Sequence, residues 1–372
     1  MAYGTVNADV IGTSVAGSNL GAGNASIMKN RCINGAMVID QRNAGASVTP
    51  TTSPTTFDCD RWSFIVTQAS KLTAQQSTSA PTGFNYSQLV TSSSAYSVTA
   101  TDVFELKQLI EGYNVADLGW GTANAKTVTL SFQVYSSLTG TFGGALQNSA
   151  YNRSYPFSYS IPVANTWTTI SITIAGDTTG TWLTTNGVGI RVVFGLGVGT
   201  TYSGTAGSWA ATEYHSATGA TSVVGTSGAT FYITGVQLEV GSSATGYEYR
   251  QYQQELALCQ RYFYSSYSNG VAVGSANAYY TPLWHTVEAT MSYCTVSVSF
   301  PVSMRTNPTG TVYSPSTGAS GKAFSGSDIN AIIASAGSYN GINPQGAIVQ
   351  VNNVSVAATV NLLAHLTASA EL

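Results

Sequence analysis

The chain has 372 residues, enough for two or three domains, and 43% apolar residues but only 8% charged ones, far below the roughly 25% of an average soluble protein. A formal net charge of −3 with no Lys/Arg cluster leaves counterion release little to act on, which argues against nucleic-acid binding. Glycine (38 residues), with abundant Ser and Thr, points instead to many short strands joined by tight turns and to a neutral, hydroxyl-rich surface.

The chain does not open with a basic region followed by an apolar run, and no stretch approaches the ~20 apolar residues of a membrane span. A soluble, cytoplasmically made protein is therefore expected. Residues 1–29 are rich in Gly, Ala, Ser and Asn without periodicity and read as an arm that is ordered only where something holds it.

From 30 to 250 the pattern has period two. Val128, Leu130, Phe132 and Val134 alternate with Thr, Ser and Gln; Ile170, Ile172 and Ile174 do the same, as do Ile190, Val192, Phe194, Leu196 and Val198. One face of each strand is apolar, as in antiparallel sheets whose inner faces pack together, and the many turn signals suggest a jelly-roll β-sandwich. Between Ile233 and Val236 the parity slips at Gly235, which predicts a β-bulge there.

Residues 251–264 carry the strongest helical signal. Tyr252, Leu256, Cys259 and Phe263 recur at i, i+4, i+7 and i+11, with Glu248, Arg250, Glu255 and Arg261 crowded around them. Three turns of helix are marginal alone in water, so the stripe must dock. A linker helix lying on the sandwich and a short multi-chain bundle both fit the spacing.

The remaining block, 265–372, alternates again at Val296, Val298, Phe300 and Val302 and at Val360, Leu362, Ala364 and Leu366. Between these runs, "YSPSTGASGKAFSGSDIN" (313–330) reads as a long loop. A β-domain this small gains from burying a face against copies of itself. The fold expected is thus all-β: an arm (1–29), a jelly-roll sandwich (30–250), a linker helix (251–264) and a small C-terminal β-domain (265–372).

Candidate chemistry is sparse. Cys32, Cys59, Cys259 and Cys294 are scattered without a C-x-x-C, and His215, His285 and His365 are equally dispersed, so no zinc pattern can be written and the thiols read as buried and free. Asp58 and Asp60 share one side of an extended segment, but no further acid or His lies near them in sequence, and a structural role at a strand end is the simpler reading. Asp177 reads as a turn residue, and "GLGVG" (195–199) lies in a strand pattern with no helix following. No catalytic residue, metal ligand or cofactor motif is assigned. Among 22 Tyr and 6 Trp, Trp62, Trp167 and Trp182 read as core; Tyr279, Tyr280, Trp284 and His285, in "NAYYTPLWH", form a candidate loop platform for a sugar.

Several stretches resemble fibre and receptor-binding structural proteins of tailed bacteriophages, notably those of marine bacteria and cyanobacteria: "YGTVNAD" (3–9), "LGAGN" (20–24), "KNRCINGAMVIDQRNAGASV" (29–48), "DRW" (60–62), "ITGVQLEVGSSAT", "EYRQYQQELALCQRYF", "FPVSMRTNPT" and the terminal "TASAEL". Cys32 and Gln253 depart from the usual pattern, and 265–345 matches weakly outside "FPVSMRTNP". The resemblance implies a jelly roll of carbohydrate-binding type, a homotrimer, an arm docked on other virion proteins, and a host-surface glycan or protein as partner. Tyr252, Leu256, Cys259 and Phe263 would then pack chain against chain. A capsid decoration protein or head fibre fits the same resemblance. A polysaccharide-degrading tailspike fits less well, because the chain shows no repeat of ~20–30 residues and has only 16 acids.

Overall fold

Apolar alternation closes into two antiparallel sheets facing one another. The computed structural model describes residues 28–279, 282–287, 291–325, 327–333, 341–354 and 360–372; the expected arm lies outside the described residues except for Met28 and Lys29. The strands before the helix are β1 (Thr56–Phe57), β2 (Trp62–Val66), β3 (Leu72–Ser77), β4 (Ser87–Ser92), β5 (Val103–Glu111), β6 (Val128–Ser136), β7 (Gly140–Gln147), β8 (Ser154–Ile161), β9 (Thr168–Ile174), β10 (Val188–Val198), β11 (Ser203–Gly204), β12 (Ser216–Ala217) and β13 (Thr230–Val240). One sheet runs β1-β2-β5-β10-β7-β8 and the other β3-β4-β13-β6-β9. The chain repeatedly crosses from one sheet to the other, as in a jelly roll.

Between the sheets, Val128, Leu130, Phe132 and Val134 meet Trp62, Phe64, Phe104 and Phe194, all fully or almost fully buried. Phe132 lies edge-on to Phe194 at 5.0 Å. Each such side chain contributes about 1.5–3 kcal/mol by leaving water. The predicted bulge is present: pairing of β13 with β6 shifts between Thr234 and Gln237, and Gly235 has φ +62°. The pair β11–β12 covers the outside of the first sheet over Gly143 and Gly195, where an added Cβ would lie 2.4 and 2.8 Å from Ser216 Oγ.

The second unit comprises β14 (Phe263–Ser265), β15 (Leu283–Val287), β16 (Met291–Ser299), β17 (Thr309–Tyr313), β18 (Lys322–Phe324), β19 (Asp328–Ile333), β20 (Ile342–Asn343), β21 (Gly346–Val354) and β22 (Val360–Ser369). β22 organises it, pairing with β14 and β17 through its last residues and with β15 and β18 through its first. The stretch 313–330 is not one long loop. Lys322–Phe324 and Asp328 onwards form a hairpin, and the Asp328 carboxylate accepts the hydroxyls of Ser314 (2.5 Å) and Thr317. Ser and Gly masked the strand, which is held by pairing rather than by an apolar run.

The helix α1 (Tyr252–Gln260) is shorter than the expected 251–264, and its buried stripe is rotated from the expected one. Glu255, Cys259 and Tyr262 are buried, whereas Tyr252 is 41% exposed. Phe263 has already passed into β14. Cys259 and Tyr262 pack against Ile33 and Ile39, with Leu256, Leu258 and Leu372 at the edge of the cluster. The crowded charges explain the rotation. Glu248 accepts the amide of Asn30 (2.7 Å), Glu255 that of Asn34, and Arg250 donates to the carbonyls of Asn30 and Cys32. These charges clamp segment 28–34 and draw Glu255 inward.

A second set of charges joins the two units. Arg261 forks onto Glu111 of β5, Arg42 and Arg61 both reach Glu371, and Arg305 donates to the carbonyls of Ala370 (2.8 Å), Glu371 (2.7 Å) and Asn186 (2.9 Å). The Ala370 amide also donates to Tyr262 O at 2.7 Å. Among the described residues no helix is long and apolar enough to cross a membrane.

Candidate functional site

The outward face of the five-stranded sheet carries the clearest binding geometry. The core alternation of β6 leaves Ser131, Gln133 and Tyr135 pointing away from the sandwich interior. Tyr135 sits opposite Tyr232 of β13, and Val134 opposite Thr168, which places Trp167 beside the same row. The three rings are half-buried and mutually tilted: Tyr135 to Tyr232 at 5.1 Å, Tyr135 to Trp167 at 5.6 Å and Trp167 to Tyr232 at 6.2 Å. Leu89 and then Gln75 continue the row across β4 and β3.

Neutral polar groups surround the rings. Thr169 donates to Gln133 Oε1 (3.0 Å), the Tyr135 hydroxyl donates to Asn165 Oδ1 (3.3 Å), and Thr73, Thr91 and Thr230 form the adjoining row. Burial raises the Tyr232 hydroxyl above its ordinary range, with Tyr135 adding to the effect, so Tyr232 stays neutral. Rings with a polar rim and no charge suit the apolar face and hydroxyls of a sugar.

The residues expected to form a platform are distributed differently. Tyr279 is 43% exposed and edge-on to Phe324 at 5.9 Å. His285 is exposed in β15, where it pairs with Leu362; Trp284 is its neighbour in that strand, and Tyr280 lies outside the described residues. Of the expected helix stripe, Cys259 and Phe263 are buried within the chain, while Tyr252 and Leu256 line a cleft beside the helix.

Trp62 is core, but Trp167 is on the outer sheet face, and Trp182 forms an edge-to-face triad with Trp120 (4.8 Å) and Trp209 (5.4 Å). In that triad each indole N–H already donates to a backbone carbonyl, those of Lys126, Thr179 and Ala175. It pins three loops together. Tyr135 and Tyr232 were missed by the sequence reading, though their parity was a signal: each stands on the polar side of an apolar alternation, where Thr, Ser or Gln is usual.

The remaining titratable groups serve the fold. Asp58 accepts from Gln88, Asp60 from Gln41 and Arg42, so the two carboxylates have separate partners; burial pushes Asp58 up to about 7 and Asp60 to about 6. Asp177 is paired bidentately with Arg153, both bonds 2.7 Å. His215 bridges Glu105 (2.5 Å) and Glu213 (3.0 Å); burial opposes its protonation, but the two carboxylates outweigh it and raise its pKa. All four cysteines are free and buried, as expected. Among the described residues no three His, Cys, Asp or Glu side chains converge as metal ligands would.

No protein-family profile matches the chain. No curated protein matches it either. Among solved structures it is similar to the enzymatically active domain of tailspike protein 4 of bacteriophage CBA120 (13% identity, 57% of this chain and 22% of that one, TM-score 0.30). It is also similar to the family 11 carbohydrate-binding module of Clostridium thermocellum (10%, 54% and 98%, TM-score 0.27) and to a xylan-binding domain of Paenibacillus barcinonensis (7%, 54% and 99%, TM-score 0.26). The chain spans about a fifth of the tailspike domain's length. Likeness at this level says nothing about ligand or activity.

Proposed function

We propose that this chain is a non-catalytic adhesion subunit of a bacteriophage virion, a homotrimeric fibre or spike whose sandwich holds a neutral host-surface glycan on Tyr135, Trp167 and Tyr232. The observation that carries the binding role is this uncharged aromatic row on an open sheet face, rimmed by Gln133, Thr169 and Asn165. An open face takes an extended chain, and weak contacts on three copies multiply into useful avidity. The virion setting is supported by the quoted sequence stretches; residues 1–29 would dock on other virion proteins and the C-terminal block would face outward.

Affinity electrophoresis through gels containing neutral polysaccharides, followed by a glycan array, tests the binding role. Retardation by at least one neutral glycan that is lost in the Tyr135→Ala/Trp167→Ala variant is expected. Equal mobility of both proteins on every polymer would overturn it. Immunogold labelling of virions with antibody against residues 265–372 tests the setting: label at fibre tips supports host adhesion, and label over the head would make this a capsid decoration protein.

A further inference from the structure

Asp58 opens the turn between β1 and β2 and is linked to Gln88 of β4, on the opposing sheet. Both residues are fully buried. Gln88 Nε2 donates to Asp58 Oδ2 and also faces the carbonyls of Leu89 (3.2 Å) and Gln75 (3.3 Å). These three acceptors fix which end of the amide is nitrogen, because a flipped Gln88 would set its oxygen against all of them.

That arrangement strands one acceptor on each partner. Among the described residues, Asp58 Oδ1 and Gln88 Oε1 are buried without a hydrogen bond. A buried acceptor without a donor is destabilising, and two oxygens satisfy one another only when a proton lies between them. A carboxyl group can supply that proton, whereas a carboxamide oxygen can only accept it. We propose that Asp58 carries a proton on Oδ1 in the folded protein and donates it to Gln88 Oε1, closing a cyclic carboxyl–carboxamide pair that latches the β1–β2 turn to β4 and opens when the proton is lost to solvent.

The surroundings favour the neutral acid. Burial is the largest influence on Asp58 and the Asp40 carboxylate adds to it; together they outweigh the Gln88 amide and push Asp58 up to about 7. Among the described residues no Lys or Arg pairs with Asp58: Arg42, on the neighbouring segment, is engaged by Asp60 and Glu371. Cys59, next in the chain, is itself raised by burial and by the surrounding carboxylates and adds no charge. Ionisation of Asp58 would therefore set a second negative charge against Asp40 and leave both oxygens without a donor again. The latch also seats segment 40–45, since the Asn43 side chain donates to the carbonyls of Phe57 (3.4 Å) and Asp58 (3.2 Å). Its contribution is complete below the ordinary carboxyl pKa of about 4 and is lost as the pH rises through about 7. The device needs no ligand and is independent of the sheet face.

Isotope-edited infrared spectroscopy of the full chain with labelled aspartate, differenced against Asp58→Asn, reads the proton directly. A neutral-carboxyl band is expected in mild acid, giving way to a carboxylate band with a midpoint near pH 7. Gln88→Met should move the acid band to the higher frequency of a carboxyl without hydrogen bonds. Hydrogen exchange over residues 56–66, corrected for its intrinsic pH dependence, reads the latch. The opening constant of the wild type relative to Asp58→Asn should grow about tenfold per pH unit between about pH 5 and 6.5 and level off above about 7. Near-ultraviolet circular dichroism establishes that the variants are folded, and the exchange comparison does not depend on Gln88→Met. A carboxylate band already present in mild acid, an acid band unmoved by Gln88→Met, or parallel exchange profiles for the wild type and Asp58→Asn would each overturn the proposal.

Discussion

Arg261 grips Glu111 with two parallel hydrogen bonds, Nη2 to Oε1 at 2.6 Å and Nε to Oε2 at 2.9 Å, and the neighbouring Tyr262 hydroxyl adds a third to Oε2 at 2.6 Å. Burial works against ionisation of Glu111, yet these donors outweigh it and hold the carboxyl below its ordinary range. Arg261 is a third exposed, whereas Glu111 is nearly inaccessible. Arg261→Ala should therefore cost about 3 kcal/mol, the low end for stranding a buried charge, and Arg261→Lys less. Urea unfolding followed by fluorescence should show the transition of the joined units moving to lower denaturant; an unchanged midpoint would mean the pair is solvated in solution.

Stability should also depend on pH in a definite direction. Burial raises the pKa of Asp58 and Asp60 in the fold to about 7 and about 6, so their neutral forms are the ones the fold prefers. The stability they contribute is complete below about pH 4 and is lost as the pH rises through 6 and 7. His215, also raised, adds to the same trend. Asp102 acts oppositely: burial is outweighed by Thr99, Thr67 and Tyr96, its pKa is lowered to about 2, and its contribution is lost as the pH falls toward that value. Thermal midpoints should peak at mildly acidic pH, and Asp58→Asn should flatten the decline above pH 5.

The thiols should be silent. Burial pushes Cys32 up to about 12 and raises Cys59, Cys259 and Cys294 as well. A thiol-specific chromogenic reagent at pH 8 should titrate no cysteine in native protein and all four in denaturant. Fast native reaction at Cys259 would show that α1 lifts from segment 28–41.

The tryptophan triad offers an internal check. Trp120, Trp182 and Trp209 lie edge-to-face within 4.8–5.4 Å, close enough for their excited states to couple. Trp182→Phe/Trp209→Phe, which leaves no tryptophan pair in the cluster, should abolish the resulting far-ultraviolet dichroism couplet while leaving the sandwich folded. Persistence of the couplet would indicate a different loop arrangement.

Period-two patterning made the sandwich legible because its strands are apolar on one side only, and the Gly235 bulge was legible because parity must slip somewhere to keep Val236 and Leu238 inside. The hairpin at 322–333 was hidden: Lys322, Ser325 and Ser327 resemble a turn-rich loop until β22 supplies a partner. The helix was found but misoriented, because a charged residue is ordinarily placed on the solvent side. Glu255 instead points inward to meet a backbone amide 221 positions away, a contact no local pattern encodes. The aromatic row depends on register across β6, β9 and β13, which single-strand periodicity does not give.

The seating of residues 370–372 bears on how such chains can diversify. Ala370 is tied to Tyr262, Glu371 to Arg42 and Arg61, and Leu372 rests on the cluster beneath α1. A block running from β14 to β22 could be exchanged by recombination only if the incoming segment carried a carboxylate at the Glu371 position to meet Arg42 and Arg61. Compatibility would be decided at the Glu371 contact as much as at the splice, leaving the sequence between free to drift.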